Sequence, residues 1–91
     1  MRFVWDARKA AANRRKHRVT FEEAQSALTD PHAATGSDPD HSVGEFRWIT
    51  FGISTEGRLI VVSHTDERDT IRIINARLAT RAERNLYEEG Y

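Results

Sequence analysis

Cysteine is absent from this chain of 91 residues. Disulfides and thiolate metal sites are therefore excluded, and a reducing cytoplasm is the natural compartment. No apolar run approaches the roughly 18 to 20 residues of a membrane span. The opening Met-Arg-Phe-Val-Trp-Asp lacks the apolar stretch of a secretory signal. A soluble cytoplasmic chain with no membrane partner is the expectation. Nothing resembles a Gly-rich phosphate loop, a Ser-His-Asp arrangement or a dinucleotide fingerprint. With no repeat and no linker, residues 1–91 are expected to form one small domain with a modest core.

What is present is charge, unevenly placed. The formal net charge is zero, yet residues 1–18 hold seven Lys/Arg against one acid and residues 19–46 hold none against six. Residues 47–91 hold seven of each sign, and all seven bases are arginine. Basic ends around an acidic middle allow a basic patch on one face. A neutral total argues against indiscriminate nucleic-acid binding.

Phe3-Val-Trp5 suits a first strand. Asp6 can cap a helix from Ala7 to about His17, rich in alanine and closed by Arg14, Arg15, Lys16 and His17, which complement the negative end of the helix dipole. Thr20 and Glu23 form a capping box opening a second helix to about Thr29, with Phe21, Ala24 and Leu28 on one face. Asp30-Pro31 ends it, so the two helices form a hairpin. Residues 36–44 read as a loop. Three strands are predicted at Phe46–Phe51, Leu59–Val62 and Thr70–Ala76, separated by turns at Gly52–Gly57 and Thr65–Asp69. Thr80 and Glu83 form another capping box, for a closing helix from Arg81 to about Glu89. The order β-α-α-(β)-β-β-β-α, with tight turns, predicts an α+β fold with an antiparallel sheet.

The Thr70–Tyr87 stretch carries Arg72, Arg77, Arg81 and Arg84 on a strand that runs into a helix. Arginine is planar, always charged and matched to phosphate oxygens two at a time. The bland alternative is a solvated strand end and charged helix face. Lys9, Asn13, Lys16 and His17 fall at i, i+4, i+7 and i+8, one stripe of the first helix, for phosphate or a protein partner, or merely for solvent. Asp38, Asp40, His41 and Glu45 cluster in the predicted loop without the spacing of an EF-hand or zinc site; His41 and Glu45 either fix that loop or contact substrate. His64 is placed at the end of its strand, on the face of Ile60 and Val62, as a structural group or a proton carrier. Arg47, Arg72 and Arg77 on adjacent strands could converge near it. Arg72 and Arg77 have opposite parity, however, so only one faces His64 unless a bulge intervenes. Tyr87 completes the acid–base inventory.

Taken in order, these pieces resemble the BrnT family of type II toxin–antitoxin ribonucleases. The resemblance spans nearly the whole chain. It rests on Phe3-Val-Trp-Asp6, on Lys9, Asn13, Lys16-His17 and Phe21-Glu-Glu-Ala24, on Asp30-Pro31, and on Asp38-Pro-Asp-His-Ser42 with Gly44-Glu45 and Arg47. It continues through His64-Thr65, Ile71-Arg-Ile-Ile-Asn-Ala-Arg77, Thr80-Arg81 and Glu83-Arg84. Asn75 departs from the serine usual there.

The resemblance implies a RelE-like toxin that cleaves RNA and inhibits translation. It also implies a BrnA-like ribbon-helix-helix antitoxin, a heterotetramer or larger assembly, and contact with operator DNA only through that antitoxin. On this reading the chain is a metal-independent endoribonuclease with no cofactor, using the substrate 2′-hydroxyl as nucleophile. Arg47, Arg72 and Arg77 would stabilise the phosphate, assisted by Arg81, and His64 would be the acid or base, with His17 or His41 as its complement. Lys9, Asn13, Lys16, His17, His41, Arg81 and Tyr87 would hold substrate. A non-catalytic basic-faced protein- or RNA-binding module is the competing class.

Overall fold

Helix α1, Ala7–His17, starts where the Asp6 carboxylate accepts the amides of Arg8 and Lys9 at 2.8 and 3.0 Å. It stops where Arg18 turns left-handed, at φ 57°, and returns its amide to the Arg14 carbonyl. The computed structural model describes residues 1–38 and 46–90. Helix α2, Phe21–Leu28, is capped by Thr20, whose hydroxyl accepts the Glu23 amide at 3.0 Å. The expected capping box is only half formed, because the Glu23 carboxylate turns away to Ser54 and Arg58. In helix α3, Arg81–Glu88, both halves of the box between Thr80 and Glu83 are present.

The strands are β1 (Arg2–Val4), β2 (Ala34–Ser37), β3 (Trp48–Ile53), β4 (Leu59–Glu67) and β5 (Thr70–Leu78), in the sheet order β1-β5-β4-β3-β2. β5, β4, β3 and β2 are antiparallel neighbours, but β1 lies parallel to β5. The fold is therefore α+β with a mixed sheet, which corrects the all-antiparallel expectation. A parallel pair needs a long crossover rather than a turn, and nothing local in the sequence signals it. Several boundaries also differ, β3 running on to Ile53 and β5 to Leu78. Gly36 and Ser37, expected in a loop, pair with Ile49 and Trp48, while Thr65–Glu67, expected in a turn, continue β4 because β5 pairs with them regardless of polarity.

One face of the sheet is closed by α2. Phe21, Ala24 and Ala27 meet Ile60, Val62, Ile73 and Ala76 in a core that Phe3, Trp5, Ala10 and Leu28 border. Trp5 meets Phe21 edge to face, with ring centres 6.0 Å apart. The helix approaches β3 so closely that a Cβ on Gly52 would fall 2.1 Å from the Ala27 carbonyl oxygen. β5 carries one extra residue, Ile74, because Ser63 pairs with Asn75 while His64 pairs with Ile73. That bulge resets the alternation of β5.

Beyond β1, no strand among the described residues lies beside the outer edge of β5. α1 lies there instead, and Asn13 bonds the backbone of β5. Asn13 donates to the Ala76 carbonyl at 2.8 Å and accepts the Ala76 amide at 3.1 Å, as a neighbouring strand would. Its second amide proton goes to the Val19 carbonyl at 2.9 Å.

Candidate nucleic-acid interface

The sheet face away from α2 carries the basic groove. Register places Arg77, Asn75 and Arg72 opposite Val61, Ser63 and Thr65, so the bulge brings both arginines to one side of β5. Arg47, whose carbonyl accepts the Asp38 amide at 2.9 Å, stands two residues before Ile49 on the same face. Lys9 of α1 reaches over the edge of β5. Lys9, Arg47 and Arg77 then surround a groove of about 560 Å³ with an aliphatic floor of Ile49, Val61 and Ile74. Asp38, Ser63 and Asn75 line it as well. A smaller recess of about 180 Å³ continues it along α1, sharing Lys9, Ile74 and Asn75 and adding Lys16 and His17.

Arg77 is held in a fork. Its two terminal nitrogens donate to the two carboxylate oxygens of Glu83 at 2.8 and 2.9 Å, and one also reaches the Leu78 carbonyl at 3.3 Å. The Arg77 guanidinium, together with the Thr80 amide, pulls Glu83 down to about 2, and Glu83 in turn raises Arg77. Three of the five guanidinium protons are thus occupied, and the rest are directed by a fixed side chain. The capping glutamate of α3 is what aims the arginine of β5.

His64 does not join this set. It lies on the face of Ile60 and Val62, as the alternation of β4 predicts, but is only 2% exposed and opposite the arginines. The expected convergence of Arg47, Arg72 and Arg77 near it is therefore corrected: Arg47 and Arg77 share the face of Ile49 and Val61 by register, and the bulge at Ile74 puts Arg72 on that face too. His64 Nδ1 lies 2.6 Å from Asp66 and Nε2 lies 2.7 Å from the Thr50 hydroxyl, which meets Thr35 at 2.7 Å. The Asp66 carboxylate accepts the Nδ1 proton, and Nε2 and the Thr50 hydroxyl share a hydrogen bond on the other side of the ring. The chain of contacts ties β2, β3 and β4 together.

The other candidates separate as well. Arg72 shares the face of Arg77 but borders a different recess with Thr65, Glu67 and Arg68. Asn13, expected on an accessible stripe, is 6% exposed with both amide protons spent on backbone, so it has no donor left for a phosphate. Arg81 is exposed at the first position of α3. Tyr87 donates towards Asp30 at 3.2 Å and the His32 carbonyl at 3.4 Å, which fastens α3 to the end of α2; burial and then Asp30 push its hydroxyl up. Asp40, His41 and Glu45 lie outside the described residues. Ser63, Ile49, Val61 and Asp38 were missed as groove residues. Their signal was parity with Arg77, legible only once the pairing is known.

A family model described as ribonuclease toxin, BrnT, of type II toxin–antitoxin system matches residues 5–83. The crystal structure of the Brucella abortus ribonuclease toxin BrnT is similar with a TM-score of 0.65 and 20% sequence identity, over 89% of this chain and 99% of that one. That likeness is one of fold. No curated protein matches the chain.

Proposed function

Because this chain belongs to the BrnT family of type II toxin–antitoxin ribonucleases, we propose that it cleaves RNA in the groove framed by Lys9, Arg47 and Arg77. The observation carrying this reading is that an α-helix, the approach to β3 and the end of β5 each bring one cation to a single concave surface. A phosphodiester seated there meets two guanidinium groups and an ammonium, arranged before the substrate arrives. Preorganised charge of this kind is often the largest contribution to catalysis.

The cleavage proceeds without a metal. The 2′-oxygen attacks the adjacent phosphorus, the bond to the 5′-oxygen breaks, and the products carry a 2′,3′-cyclic phosphate and a 5′-hydroxyl. Arg47 and Arg77 neutralise the charge growing on the non-bridging oxygens, assisted by Arg81 at the start of α3. His17, reached along the recess shared with Lys9 and Asn75, carries a proton, in place of the sealed His64. His41 is its complement at the other step. Lys16 binds the phosphate that follows.

In the cell this activity inhibits translation. A BrnA-like ribbon-helix-helix antitoxin covers the groove in a heterotetramer or larger assembly, which touches operator DNA only through the antitoxin. The molecule is a cytoplasmic, RelE-like toxin. The test is to incubate the purified chain with labelled RNA in EDTA, with and without the antitoxin. Cyclic-phosphate and 5′-hydroxyl ends, suppressed by antitoxin and absent from an all-deoxy strand, are expected. Intact RNA both in buffer and in a translation extract would sink the enzyme reading in favour of a basic binding module.

A further inference from the structure

We infer that Asn75 reads a base of the bound RNA, and that the base it favours is adenine. This rests on the groove being the RNA site. The three cations can grip phosphates of any sequence, since phosphate contacts position a strand without reading it. The neutral polar groups on the floor are suited to read a base without also gripping phosphate. Those are Ser63 and Asn75, which face each other across β4 and β5.

Asn75 is the neutral polar residue that, with Lys9 and Ile74, lines both cavities, the groove and the recess along α1, so it stands at their junction. It is partly buried, yet among the described residues its carboxamide makes no hydrogen bond, in contrast to Asn13. The Ser63 hydroxyl is in the same condition. A carboxamide with no partner inside the fold keeps its donor and its acceptor for a ligand. Around these two groups the floor is aliphatic, lined by Ile49, Val61 and Ile74. An apolar bed with a few placed polar groups orients its ligand through those groups.

Bases of single-stranded RNA are splayed out and read on their edges. A carboxamide offers one acceptor beside one donor, and the Hoogsteen edge of adenine offers the complement, the N6 amine beside N7. On the same edge guanine presents O6 and N7, two acceptors, and leaves the Asn75 oxygen facing one of them. Ser63, able to donate or accept, adds a bond without deciding between them.

The experiment measures affinity, so that it does not depend on cleavage. The probes are 2′-O-methyl RNA decamers, whose blocked 2′-oxygen cannot attack. Each has a uridine background with spaced copies of adenine, guanine or cytosine, and an all-uridine strand serves as reference. Adenine strands should bind the wild-type chain roughly tenfold or more tightly than guanine strands, the discrimination expected of one bidentate contact. In Asn75→Ala and in Asn75→Ser, each checked for its fold by circular dichroism, that ratio should fall below about twofold by the same reasoning. Equal affinity of the wild type for all four strands, no binding to any, or an unchanged ratio in both variants would overturn the assignment. Selective binding by a chain that cuts nothing would instead overturn the ribonuclease reading and leave Asn75 its role.

Discussion

Replacing Asn13 by alanine removes three hydrogen bonds at once. Two of them, to the Ala76 carbonyl and from the Ala76 amide, are made to a residue that is 0% exposed, and the third goes to the carbonyl of Val19, also 0% exposed. Each backbone group left unpaired in the interior costs about 1–3 kcal/mol. With some readjustment of α1 against β5, the three together come to about 4 kcal/mol. A domain of this size is stable by about 5–15 kcal/mol, so the loss is a large fraction of the whole. At about 4–8 °C per kcal/mol for a small domain, the melting temperature should drop by about 15–30 °C.

The assay is thermal unfolding followed by circular dichroism, with Lys16→Ala as the control. Lys16 is exposed on the same helix, and its removal should leave stability within about 0.5 kcal/mol. Asn13→Asp should be at least as damaging as Asn13→Ala, because it keeps the acceptor for Ala76 but turns a carboxylate towards two carbonyls. If Asn13→Ala melted within about 5 °C of the wild type while losing RNA affinity, Asn13 would be a substrate residue and the strand-like bridge from α1 to β5 would be wrong.

Four further outcomes follow from particular residues. Glu83, held down to about 2 chiefly by Arg77, stabilises the fold fully above its unfolded value of 4.5, and this contribution is lost as the pH falls through about 2. The gap in melting temperature between wild type and Glu83→Gln should therefore be constant from pH 7 to about 5 and shrink below pH 4; a gap that closed between pH 7 and 6 would contradict the fork. Gly52→Ala drives a methyl into the Ala27 carbonyl and should destabilise by about 1–3 kcal/mol in urea titration, whereas an unchanged midpoint would deny the close approach of α2. His17→Ala should slow RNA cleavage about 10² to 10⁴-fold with the melting temperature kept. His64→Ala should chiefly lower the melting temperature, and the reverse pattern would return the proton-carrying role to His64.

Local chemistry in the sequence determined the helices of this protein. Asp6, Thr20 and Thr80 act on the amides two and three residues ahead, and Arg18, Asp30 and Pro31 stop what they start, so those elements could be placed from neighbours alone. The alternation of β4 likewise set His64 beside Ile60 and Val62, and the order of short motifs was enough to assign the family.

The groove was another matter. It depends on the parallel pairing of β1 with β5, on one extra residue at Ile74, and on whether a side chain such as Asn13 or Tyr87 is spent inside the fold. Each of these joins residues distant along the chain, from Asn13 to Ala76 or from Tyr87 to Asp30. A hydrogen bond of that kind leaves no pattern among neighbours, and a single bulged residue inverts every face assignment that follows it. Sequence therefore supplied the cations, and tertiary structure decided which of them share a surface. Arg47, Arg77 and Lys9 do, Arg72 stands apart, and His64 is sealed beneath the opposite face.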